Sequence, residues 1–175
     1  SLCNASSAIN ITEMYPGTPD MIEIQNTSNQ TIDVTGWRVV TSNNYSTWAV
    51  NTIEQTLSGT MDSGAIQYWT DNTATNYWGN NLYFNASSRM WTLLLDASGN
   101  VIDFMCAGWT AAEVATGVIT PPGGGSYSVV NMWNGDGAPM NPALLTAQSH
   151  ARIGTTDNNG ATDWVVSTTS THTTI

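Results

Sequence analysis

Lysine is absent from the 175 residues, and only Arg38, Arg89 and Arg152 carry positive charge. Against thirteen acids this leaves a formal net charge of −10. A surface of that sign repels phosphate backbones and anionic headgroups, which argues against nucleic acid and against an acidic membrane as partners. Histidine is nearly missing too: His150 and His172 are the only imidazoles, and no Gly-x-Ser-x-Gly elbow exists. Nucleophilic hydrolase chemistry therefore has few parts to work with, and the expectation is a protein that is not an enzyme.

Cysteine occurs twice, at Cys3 and Cys106, without a CxxC spacing, which excludes a metal knuckle. The expected arrangement is one disulfide, Cys3–Cys106; the other reading, two separate buried thiols, stays open. A closed loop of about 100 residues is worth up to roughly 4.7 kcal/mol in chain entropy. Long apolar runs are lacking, so no segment inserts into a membrane. No leader sequence is visible, so a secreted form would be numbered here from its mature start.

What the chain has instead is Ser, Thr and Asn, the polar uncharged surface common outside cells, with 41% apolar residues to fill a core. One domain is expected over 1–175, its core at about 8–167 and a short arm at each end, located extracellularly or at the cell surface. Six Asn-x-Ser/Thr triplets, at Asn4, Asn10, Asn26, Asn29, Asn44 and Asn85, are glycosylation candidates. In a chain this rich in Asn, Ser and Thr, such triplets also arise by chance.

Short alternating runs punctuated by Gly, Pro, Asn and Asp predict an all-β domain. "AINITEMY", "DMIEIQN" and "QTIDVTGWRVV" alternate apolar and polar residues, with a reset at Gly36. Further strands are expected at "STWAV", "TIEQTL", "AIQYWT", "NLYF", "MWTLLLDA", "NVIDFMC", "SYSVVN", "HARIG" and "DWVVST". "LLLDASGNVID" reads as a hairpin. The only helical stretch is "TAAEVATG", where Thr110 caps, Glu113 completes a capping box and Gly117 ends it. The predicted fold class is an immunoglobulin-like β-sandwich with loop insertions and at most one short helix. Its core is expected around Ile22, Ile24, Ile32, Val34, Trp37, Leu93, Leu95, Val101 and Trp164.

The stretch "INITEMYPGTPDMIEIQNTSNQTIDVTGWRV" resembles the opening of the lamin tail domain family. The residues that carry the likeness are Glu13, Asp20, Ile22, Glu23, Asn26, Asp33, Thr35, Gly36 and Trp37. "LLLDASGNVID" is similar to the family's central hairpin, and "SHARIG" with "TDNNGATDW" to its closing segment, through Arg152 and Asp163-Trp164. The resemblance spans about residues 8–167. It implies an immunoglobulin-like sandwich of the bacterial and archaeal branch, found on exported and cell-surface proteins. The nuclear-envelope role of animal lamins is not expected to carry over, since these 175 residues hold no coiled-coil rod. Against the shorter members, "QYWTDNTATNYWGNNLYF" and "GWTAAEVATGVITPPGGGS" are insertions.

Glu13, Asp20, Glu23 and Asp33 suit a glycosidase pair only if two of them face each other across a cleft; as positions recurring in the family they read as structural. Asp157, Asn159 and Asp163 give "TTDNNGATD" part of the spacing of a calcium loop, without its closing Glu, so a calcium ion is a candidate ligand while Asx-rich turns look the same without metal. The aromatic insert offers Trp69, Tyr77 and Trp78 as sugar-stacking rings, against core packing or protein contact. The Thr-rich arms and the unguarded sheet edges suggest self-association. The reading is a structural or adhesive surface or filament subunit; the alternative is a carbohydrate-binding module, with a glycan or surface-protein partner.

Overall fold

The computed structural model describes residues 8–85, 87–140 and 148–167, and places among them the strands β1 (Ile9–Tyr15), β2 (Met21–Asn26), β3 (Ile32–Asp33), β4 (Arg38–Thr41), β5 (Gln55–Thr56), β6 (Thr60–Met61), β7 (Ile66–Thr70), β8 (Met90–Leu95) and β9 (Val101–Ala107). The helix α1 (Ala111–Thr116) follows, then β10 (Val118–Ile119), β11 (Tyr127–Ser128), β12 (Ser149–Arg152) and β13 (Trp164–Ser167). A five-stranded sheet, ordered β13-β12-β1-β2-β7, faces a four-stranded sheet, β5-β4-β8-β9; β3–β6 and β10–β11 are small two-stranded pieces. All strand pairs are antiparallel. This is the immunoglobulin-like all-β sandwich that the alternation predicts.

The period of two sets the inner face. Ile11 pairs with Ile24 and Met14 with Ile22 across β1–β2, and all four are fully buried. A bulge between Ile11 and Glu13 restores the phase, so Glu13 faces Glu23 on the opposite side of the sheet. The continuous run of β8 has a different cause: its strand is covered on both faces. Asp103, on the partner strand β9, reaches Ile11 of the other sheet, while its neighbour Phe104 packs against Trp133 and Trp91. The hairpin between β8 and β9 forms as expected, closed by Asp96, whose Oδ1 accepts from the N–H groups of Ser98 and Asn100. The capping box of α1 is also present.

Several expectations fail. "STWAV" forms no strand, because Asn44 Oδ1 captures the Ser46 and Thr47 N–H groups at 2.9 and 2.8 Å and turns the chain. "NLYF" is irregular although Leu82 and Phe84 are buried. Their N–H groups bond to the carboxylates of Asp71 and Asp20 rather than to a neighbouring strand. "SYSVVN" holds only two strand residues before a 3-10 turn at Val129–Asn131. Ile22, Ile24, Val34, Leu93, Leu95 and Trp164 are core residues, but Ile32, Trp37 and Val101 are only half-buried against the core. Trp78, Trp91, Phe104 and Trp133, not expected there, fill much of it.

Candidate interaction surface and the buried acids

Of the four acids of the opening stretch, Glu13 and Glu23 face each other across β1–β2, while Asp20 and Asp33 stand apart from them. Asp33 is exposed and caps its own turn, accepting from Thr35 N at 2.9 Å and Thr35 Oγ1 at 2.7 Å, bonds that hold its carboxyl below the usual range. Glu23 is buried, its Oε1 accepting from Thr12 Oγ1 at 2.7 Å; burial pushes its carboxyl up to about 7, opposed by that bond and helped by the charge of Glu13 across the strand pair. Asp20 is buried at the β2 entry. Its N–H donates to Asp71 Oδ1 at 2.9 Å, and its Oδ2 accepts from Phe84 N at 3.3 Å. Burial first, then the Asp71 charge, push Asp20 up to about 8. Asp20 and Asp33 accept from backbone N–H groups and so shape the chain around them.

A fifth acid, Asp103, was not singled out in the sequence, since "NVIDFMC" reads only as a strand. It anchors the densest polar cluster. Arg152 on β12 donates from Nε to Ile11 O at 2.8 Å, from Nη1 to Thr156 O at 2.6 Å, and from Nη2 to Asp103 Oδ2 at 2.5 Å. Its guanidinium lies over Trp164, 4.8 Å from the ring centre. Asp103 also accepts from Ile11 N and Phe104 N, both at 2.8 Å, so this one pair ties β9 to β1 and β12 across the sandwich. Burial raises the Asp103 carboxyl; Arg152 opposes the rise and Asp157 adds to it.

The calcium-like loop lies at the edge of that cluster, and of its three acidic and amide candidates Asp163 is turned into the loop itself. Asp163 accepts from Asn158 N at 2.7 Å and from Asn158 Nδ2 at 2.8 Å, the bonds of an Asx-type turn in which Asn159 sits at φ 55°. Asp157 stands 3.8 Å from the Arg152 guanidinium. A cation there would share Asp157 with the fixed positive charge of Arg152. Among the described residues no three His, Cys, Asp or Glu side chains gather to hold a metal ion.

Other candidates separate in the same way. Cys106 is a free, fully buried thiol, pushed well up by burial, and its expected partner Cys3 lies outside the described residues. No disulfide is present among the described residues. Among the sequons, Asn10 and Asn26 are buried with their amides bonded inside: Asn26 Nδ2 donates to Gln30 O at 2.7 Å and Met61 O at 2.8 Å. A glycan has no room there. Asn29 and Asn85 are exposed, Asn44 is half-buried, and Asn4 lies outside the described residues. His150 is buried with Nε2 3.1 Å from Met140 Sδ, and burial lowers it to about 4, so it is a neutral ring inside the sandwich. His172 lies outside the described residues.

The three aromatic candidates divide. Trp78, 1% exposed, is a core residue and is withdrawn as a sugar platform. Trp69 packs edge-on against it, with ring centres 6.0 Å apart and planes at 88°. Trp69 and Tyr77 line a shallow groove of about 400 Å³ beside β7, together with Gln55, Gln67 and Asn76. Tyr77 is 42% exposed.

Two facing antiparallel sheets joined through the Asp103–Arg152 pair define a domain of the immunoglobulin-like class. The chain belongs to the lamin tail domain family, whose model matches residues 4–110. No curated protein matches it. The match ends short of the expected closing segment, yet β12 and β13 complete the sheet that β1 begins, so the sandwich extends beyond the matched residues.

Proposed function

We propose that this chain is a non-enzymatic structural or adhesive domain, displayed outside the cell, that associates with copies of itself by adding strands at a sheet edge. The observation that carries this reading is β13, an edge strand of the five-stranded sheet with no charged residue and with Val165 50% exposed. Natural edges are normally guarded by charge, lysine above all, and this chain has no lysine. The Thr-rich residues 168–175 follow β13 directly and have the composition of a strand able to pair with a neighbour. Glycan recognition through the aromatic insert is compatible with such a surface role.

Light scattering over a concentration series tests it. The full chain is expected to form oligomers that Val165→Lys and truncation after Ser167 both weaken. A monomer at every concentration rejects edge-mediated assembly.

A further inference from the structure

Two depressions flank the β7 edge and share Tyr68. One, of about 400 Å³, is walled by Trp69 and Tyr77; the other, of about 280 Å³, by Tyr15, Met21 and Thr75. We propose that together they form a binding site for a neutral oligosaccharide, with Tyr77 and Trp69 as ring platforms and the amides of Gln67 and Asn76 as hydroxyl partners.

Four observations carry this. First, the rings are held in place. Trp69 is fixed by its edge-on contact with buried Trp78, and Tyr77 follows Asn76, whose φ of 43° is a left-handed conformation uncommon outside glycine. That turn is closed by Thr70 N donating to Asn76 O at 2.8 Å and Asn76 Nδ2 donating to Tyr68 O at 3.2 Å. It sets a large ring into water at 42% exposure. A flat, wet, rigid ring is the surface on which the apolar face of a sugar stacks.

Second, the polar groups are amides and hydroxyls, the donors and acceptors that pair with sugar hydroxyls. Gln67, half-buried on β7, contributes its side-chain amide to the groove lining. Third, no residue lining either depression is charged. Of the acids around them, Asp71 is bound by Asp20 N and Leu82 N, Glu54 is paired with Arg38 at 2.8 Å, and Glu23, across the strand pair from Tyr68, is buried and accepts from Thr12 Oγ1. An ionised ligand would find no counter-charge, which selects a neutral one. Fourth, a peptide strand is a poor occupant of this edge. The Thr70 N–H and C=O are already bonded to Asn76 and Trp78, and Tyr68 O accepts from the Asn76 amide.

The other large opening lacks these features. Its one indole, Trp48, is stacked on Trp109 at 3.6 Å between ring centres, and Gly117 presses against the same ring so closely that a Cβ there would come within 2.6 Å. One face of Trp48 is therefore taken by Trp109, and its indole edge lies against Gly117.

The test is titration calorimetry with a panel of neutral hexaoses (cellohexaose, xylohexaose, mannohexaose, laminarihexaose and maltohexaose) on the full chain, with polygalacturonate as the ionised comparison. At least one hexaose is expected to bind, and Tyr77→Ala to weaken it by about tenfold or more, the loss of one stacking contact with its ordering. Gln67→Ala is expected to weaken it less, and both variants to keep the melting temperature of the parent. Three results overturn the proposal: no hexaose bound at millimolar concentration, polygalacturonate bound in preference, or a hexaose bound unchanged by both variants. Because the panel is read on the monomer as well as on any oligomer, failure here leaves the edge-association reading to its own experiment.

Discussion

Replacing Asp103 with asparagine removes the one anion that bonds Arg152 directly while leaving shape and volume nearly intact. The guanidinium keeps its two carbonyl partners, Ile11 O and Thr156 O, but loses its 2.5 Å carboxylate bond. Asparagine also offers one acceptor oxygen where Ile11 N, Phe104 N and Arg152 Nη2 now use two. Breaking a buried pair by removing one member costs about 3–5 kcal/mol, because the remaining charge stays buried. For a domain of this size each kcal/mol moves the melting temperature by about 2–4 °C, so a drop of about 10 °C is expected. Asp157→Asn is the matched control. Asp157 sits 3.8 Å from the same guanidinium, and its charge opposes ionisation of Asp103, so its removal is expected to be neutral or mildly stabilising. Differential scanning calorimetry on the two variants decides the matter. An Asp103→Asn protein melting within about 2 °C of the parent, or two variants equally damaged, refutes the assignment of Asp103 as the principal partner.

Proton linkage gives a second expectation. Asp20 and Glu23 are raised from 3.8 and 4.5 to about 8 and about 7, so the folded state holds protons that the unfolded state releases. Their contribution is fully present in acid and is lost as pH climbs from about 4 through about 8, while His150, lowered to about 4, subtracts stability below its unfolded value of 6.5. Two raised carboxyls outweigh one lowered imidazole, so stability from these groups is expected to fall as pH rises from about 4, and Asp20→Asn is expected to match the parent near about pH 3 and exceed it at about pH 9. Superimposable pH profiles of melting temperature for parent and variant would count against it. Trp78→Ala is expected to cost about 3–5 kcal/mol in urea unfolding, against little for Tyr77→Ala; similar costs would mean that Trp78 is not core. In a host that glycosylates, peptide mass spectrometry is expected to find sugar at no position among Asn10 and Asn26, whatever the occupancy of Asn29 and Asn85.

The fold was legible wherever a strand gives one face to apolar residues and the other to polar ones. β1 and β2 alternate because Glu13 and Glu23 leave the inner face to Met14 and Ile22, and the β8–β9 hairpin is written in Asp96 and Gly99. Where side chains replace strand neighbours as hydrogen-bond partners, the pattern misleads. Leu82 and Phe84 alternate like a strand but are held by Asp71 and Asp20, residues eleven and sixty-four positions away. The aromatic insert was readable as a binding feature in composition only. Whether Trp69 or Trp78 faces water depends on the bridge between Thr70 and Tyr77, which no local period encodes. Asp103 escaped notice because a buried ion pair needs two chain segments, forty-nine residues apart, to be seen together.

These internal acids also change what the formal charge of −10 means. Asp20 and Glu23 carry protons across much of the neutral range, so the folded surface is less negative than the sequence total, and less so again in mild acid. Repulsion between copies scales with that smaller charge and is further screened beyond about 8 Å at physiological salt. The edge of β13 carries no charge of its own. For the association proposed above, the consequence is directional: oligomers should strengthen as pH falls from about 8 toward about 5, the same interval in which the buried carboxyls favour the folded state. A chain whose assembly instead weakened over that interval would have its contacts elsewhere, on groups that lose attraction when carboxylates are protonated.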